Sequence, residues 1–181
     1  MKKFIYNEMM VHVPVCTSKA PQNILIISDD AKSLESEMDK HDGIAYKTIQ
    51  CSIEALREEA DKAYEVVICE ADSDAAVIGH ISRVLTDDGL VSMTHPSLDN
   101  TQENKNIMHI LGKYFKVIMP YDIGEGNTAL LSSKEYHPTA DINLHRADML
   151  DGLEYYNCDV HPAAFAMGNY IRKEYLGIIK N

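Results

Sequence analysis

Apolar and polar positions along the chain alternate between short continuous runs and helix-spaced stripes. Residues 23–27, Asn-Ile-Leu-Ile-Ile, form a β-branched apolar run followed by Ser28, Asp29 and Asp30, three residue types that cap helices. The pattern predicts a strand, a turn and a helix over 31–40, with Leu34 and Met38 one turn apart on the face toward the sheet. A second strand is predicted over 44–49. Ser52 then caps a helix through residue 63, in which Ile53, Leu56 and Ala60 form the apolar stripe and Glu54, Arg57, Glu58 and Glu59 face water. A buried strand over 65–69 runs into the acidic stretch Glu70-Ala71-Asp72-Ser73-Asp74.

The alternation continues. A helix is predicted over 75–85, a turn at Thr86-Asp87-Asp88-Gly89, a strand over 90–93, a helix over 102–114 and strands over 115–119 and 128–132. Strands alternating with helices of this size specify a three-layer α/β sandwich around a mostly parallel sheet, with 24–27 and 66–69 as neighbouring central strands. The last two strands follow one another without a helix, through Gly124-Glu125-Gly126. Such a pair closes one edge antiparallel, which marks the methyltransferase-type variant of Rossmann-like sheets. Ligands of open α/β sheets bind beyond the carboxyl ends of the strands. Two acidic loops are predicted there, one at Ser28, Asp29 and Asp30 and one over 70–74, and helix capping alone also accounts for the first.

Composition narrows the partners. The 181 residues carry 17 Lys and Arg against 28 Asp and Glu, a balance of −11, and 45% are hydrophobic. That is enough for one full core, so a single domain over 1–181 is expected. The excess of carboxylates opposes nucleic acid and anionic membranes and favours cationic ligands. No apolar run approaches the roughly 20 residues of a membrane helix, and no signal-peptide h-region opens the chain, so a cytoplasmic protein is expected. Cys16, Cys51, Cys69 and Cys158 stand far apart, without the spacing of a redox pair or a zinc site, and no metal is expected. His12, His161 and Phe165 read as packing residues.

Two segments carry a family resemblance. Phe4-Ile5-Tyr6-Asn7-Glu8-Met9-Met10-Val11-His12-Val13-Pro14 resembles the F-x-Y-H-E-M-M-x-H-x-P segment of spermidine synthases, the polyamine aminopropyltransferases, with Asn7 as the one departure. Tyr155-Tyr156-Asn157-Cys158-Asp159-Val160-His161-Pro162-Ala163-Ala164-Phe165-Ala166 is similar to the family's Y-Y-N-x-x-I-H-x-A-A-F-A-L-P segment. The resemblance implies transfer of an aminopropyl group from decarboxylated S-adenosylmethionine, a co-substrate rather than a resident cofactor, to an amine of a polyamine such as putrescine. It also implies a homodimer. Glu70 falls where the family has its proton-accepting Asp, and Tyr6, Asn7, Glu8, Asp72 and Asp74 fall where an amine-binding groove is expected.

The nucleoside side departs from the family. Its glycine-rich first loop, G-G-G-D-G-G, aligns with Ser28, Asp29, Asp30, Ala31, Lys32 and Ser33, and the acid that contacts its adenine aligns with Cys51 and Ser52. Ser28, Asp29, Asp30, Cys51 and Ser52 are therefore the positions expected against the co-substrate. The strand over 44–49 aligns with the family's third strand, which predicts one βα unit fewer, and the family's amino-terminal β-hairpin domain has no counterpart ahead of Tyr6. Three readings stay open: a divergent aminopropyltransferase, a non-catalytic homologue that binds polyamines or a partner subunit through its acidic face, and, ranked last because it needs the same glycine loop, an S-adenosylmethionine methyltransferase.

Overall fold

The computed structural model describes residues 2–181. One strand in from the sheet edge, β1 (Asn23–Ile27) pairs in parallel with β2 (Ala45–Ile49) on one side and β3 (Tyr64–Cys69) on the other. β4 (Leu85–Thr94) extends the sheet in parallel beyond β3, and β6 (Thr128–Ser133) and β5 (Val117–Asp122) close it with antiparallel pairings. The order is β2-β1-β3-β4-β6-β5. Ile24 lies opposite Val66 and Ile27 opposite Cys69, so the two expected strands are neighbours.

Side chains alternate across the sheet because a strand repeats every two residues. Ile24 and Ile26 point into a core shared with α1 (Lys3–Thr17) and α2 (Lys32–Met38). Leu25 and Ile27 point into a second core with α3 (Ile53–Glu58), α4 (Ala75–Val84) and α5 (Thr101–Leu111). Leu34 and Met38 are buried as their one-turn spacing predicts, and each such side chain contributes about 1.5–3 kcal/mol. The chain ends in three short helices, α6 (Leu144–Asp148), α7 (Val160–Ala163) and α8 (Asn169–Glu174).

Several boundaries differ from the sequence pattern. α3 stops at Glu58 because Glu59 turns to extended backbone and sends its carboxylate inward. Glu59 is buried, accepting from the Tyr64 hydroxyl at 2.5 Å and the Lys47 ammonium at 2.7 Å, and is not part of a wet helix face. The turn expected at 86–89 lies inside β4 as an irregularity, where Tyr64 opposes Leu85 but Val66 opposes Leu90. β2, aligned by sequence with a third strand, sits directly beside β1 at the sheet edge.

The Tyr6 segment is helical throughout, which periodicity did not declare, since residues 8–17 of α1 are buried on every side. A helix that is apolar all round shows no stripe. Its last turn is tied down by the Arg146 guanidinium, which donates to the carbonyls of Val15 and Ser18, both at 2.7 Å. Its first turn rests on the β5–β6 turn at Gly124, where φ is +100° and a Cβ would stand 2.8 Å from Ile5. Glycine is required there on both counts. These contacts set where Tyr6 points.

Candidate functional site

β1 and β3 end side by side, and the Glu70 amide continues the ladder by donating to the Ile27 carbonyl at 2.9 Å. The next side chains therefore emerge together at the carboxyl edge: Ser28 from β1 and Glu70 from β3. The Glu70 carboxylate is held at both ends, with Oε1 accepting from the Tyr6 hydroxyl and Oε2 from the Ser28 hydroxyl. Burial raises the Tyr6 phenol well above its ordinary value, and the adjacent Glu70 carboxylate adds to the rise. Tyr6 therefore stays protonated as a donor.

The remaining expected residues separate into two groups. Asp72 is exposed at the tip of the loop after β3. Asp74 caps α4, its Oδ1 accepting from the amides of Ala76 and Val77 at 2.8 Å each, which leaves Oδ2 outside the cap. With Glu103, Asn106, Thr94 and His95 these two acids line a cleft of ≈ 580 Å³ over the ends of β3 and β4. Asn7 is half-buried on α1, next to Tyr6.

Glu8 does not line this cleft. It is 1% exposed and points into the protein, where Oε1 accepts from the Glu154 amide at 2.8 Å and Oε2 from the amides of Tyr155 and Tyr156 at 2.9 and 2.7 Å. The two segments quoted for the family resemblance are thereby joined to each other, and the acid expected at the groove is a structural tie.

Among the residues expected against the co-substrate, the loop side chains bind one another. Ser28 is 4% exposed and holds Glu70, which is not the position expected of a co-substrate contact. Asp29 accepts from the Cys51 amide at 2.9 Å, linking the ends of β1 and β2. Ser52 caps α3, accepting from the Ala55 amide at 3.1 Å, and burial raises the Cys51 thiol. Asp30 is exposed. No residue of the 28–33 loop has a positive φ, so the turn is made without the backbone that glycines permit.

His95, which without a paired spacing reads in the sequence as a solvated or singly hydrogen-bonded side chain, sits in the cleft. Its Nδ1 pairs with Asn104 Oδ1 at 2.6 Å and its Nε2 with Thr128 Oγ1 at 2.9 Å. Burial lowers its pKa, and a neutral ring donating to Asn104 and accepting from Thr128 satisfies both contacts. Its position just past the end of a parallel strand was the available signal. Among the described residues no group of three or more His, Cys, Asp or Glu is arranged to hold a metal ion, and no helix is long and apolar enough to cross a membrane.

The fold and this site can be set against known proteins. The chain is 24% identical over 201 residues to the polyamine aminopropyltransferase of Helicobacter acinonychis, covering 92% of this chain and 75% of that one. It is 30% identical over 129 residues to the enzyme of the same name from Helicobacter pylori strain G27, covering 66% of this chain but only 48% of that one. It superposes on spermidine synthase from Thermotoga maritima with a TM-score of 0.80 at 23% identity, over 95% of this chain and 74% of the other. These similarities support a divergent member of the spermidine synthase family. A spermidine synthase crystallised with the transition state analogue AdoDATO superposes with a TM-score of 0.82 at 21% identity, which extends the shared fold over 95% of this chain. No protein-family model matches the sequence. The alignments span half to three quarters of these relatives, and their activity is not thereby carried over.

Proposed function

We propose that this spermidine synthase homologue binds a polyamine in the cleft beyond β3 and β4 and transfers to it the aminopropyl group of decarboxylated S-adenosylmethionine. The observation that carries the reading is the carboxylate of Glu70 fixed at the end of β3 by Tyr6. In the step, the lone pair of a putrescine nitrogen forms a bond to the aminopropyl carbon attached to the sulfonium. The carbon–sulfur bond breaks with its electron pair going to sulfur, which leaves as methylthioadenosine. The nitrogen's proton passes to Glu70, because a protonated amine has no lone pair to attack with. Asp72 and the free oxygen of Asp74 attract the other ammonium.

The second reading is a polyamine-binding homologue without transfer. One observation favours it: the loop 28–33 is closed on itself and on Glu70, with no positive φ. A sulfonium donor that is not held in line forfeits much of the advantage of positioning. The open edge of β2 also supports a homodimer, which light scattering at the mass of one chain would remove.

Incubating the protein with putrescine and decarboxylated S-adenosylmethionine separates the two readings. Formation of spermidine and methylthioadenosine in equal amounts is expected at a rate below that of a glycine-loop synthase. Binding of putrescine without either product leaves the second reading.

A further inference from the structure

The sequence offered Ser28 as a contact for the nucleoside, but its hydroxyl is committed elsewhere. A hydroxyl has one proton to give, and here it goes to Oε2 of Glu70, while the Asp30 amide donates to the same oxygen of Ser28 at 3.1 Å. The Ser28 backbone is fixed as well, its amide donating to the Ile49 carbonyl at 3.0 Å. A glutamate at the end of a strand has three side-chain torsions to restrict, and one donor at Oε1 leaves the carboxylate free to swing about that contact. A second donor on a different strand removes the swing. We propose that Ser28 is a positioning residue for Glu70, which with Tyr6 fixes both carboxylate oxygens toward the amine.

The alternative, that Ser28 blocks Glu70, fails on capacity. A carboxylate offers about four lone-pair sites, so two donors leave two for an ammonium. The side chain is thus ordered before the ligand arrives, and the amine does not bear the entropy of ordering it. The inference rests on polyamine binding at Glu70.

The test is a double-mutant cycle read in putrescine affinity by calorimetry, with Ser28→Ala, Ser28→Thr, Glu70→Gln and the Ser28→Ala/Glu70→Gln pair. Ser28→Ala is expected to weaken binding about three- to tenfold, the loss from one side chain that must be ordered on binding. Ser28→Thr, which keeps the hydroxyl, is expected to bind as the wild type does. In the Glu70→Gln background, Ser28→Ala is expected to change nothing further. An equal loss in both backgrounds overturns the role, because a merely structural serine would act without Glu70. Failure of Ser28→Thr to restore binding also overturns it. Absence of putrescine binding by the wild type is a different result, which removes the polyamine reading and this inference together.

Discussion

Tyr6, at the end of the first turn of α1, donates its hydroxyl to Oε1 of Glu70, 64 residues further along the chain at the end of β3. The phenol ring packs against the same core as α1 and β1, so the donor is held by apolar contact on one side and by the carboxylate on the other. A hydrogen bond to a charged group contributes about 1.5–3 kcal/mol. Tyr6→Phe keeps the ring and removes that bond, so methylthioadenosine release should fall roughly tenfold or more, and the thermal midpoint should drop by several degrees, about 2–4 °C for each kcal/mol lost. Steady-state rates beside a melting curve check this.

Glu8 is expected to act on stability alone. Three backbone amides donate to its two buried oxygens, and glutamine at that position supplies one acceptor oxygen and an NH₂ that faces donors. Glu8→Gln should lower unfolding stability by about 3 kcal/mol, seen as a reduced urea midpoint with unchanged slope. The folded fraction that remains should bind putrescine as the wild type does.

Asp72 and Asp74 lie two residues apart in one loop and should separate cleanly. Asp74→Ala removes the α4 cap, which costs about 1 kcal/mol of stability. Asp72→Asn should leave stability within about 0.5 kcal/mol, since the side chain is exposed, but should weaken putrescine binding in a way that fades as salt is added. Denaturation and calorimetry at two ionic strengths test the pair.

Stability should fall as pH drops from about 6.5 toward 4. Burial lowers the pKa of His41 to about 3 and that of His161 to about 4. Between those values and the ordinary 6.5, the unfolded chain binds protons that the folded chain refuses. Their contribution is full above pH 6.5 and is lost as pH falls through the window, by up to about 1.4 kcal/mol per pH unit for each ring. His41 Nε2 meets His12 Nδ1 at 2.9 Å, and His12 Nε2 meets Glu37 at 3.0 Å. Urea denaturation at pH 8, 6.5 and 5 should show the decline, flattened in His161→Asn.

What the sequence made legible followed from periodicity. The runs at 24–27 and 66–69 and the stripes at Leu34, Met38 and Leu56 were sufficient for the parallel strands, and the missing helix before β6 for the antiparallel edge. α1 was not legible, because burial on all faces erases the helical period. Glu8 and Glu59 were placed in water or at a groove because a lone carboxylate in a sequence gives no sign of the partners that allow its burial. Those partners lie 146 to 148 residues away for Glu8, beyond the reach of any local pattern. Ser28 and Glu70 belong to the same class: each was visible, and their bond across adjacent strands was not.

The central claim is that Glu70 accepts the proton of the attacking amine, and the rate of methylthioadenosine release by the Glu70→Gln protein tests it most directly. The substitution keeps the shape of the side chain and removes the basic oxygen. A fall in kcat of roughly 10²–10⁴-fold relative to the wild type is predicted, the contribution general base catalysis ordinarily makes. Release at the wild-type rate by Glu70→Gln would contradict the account.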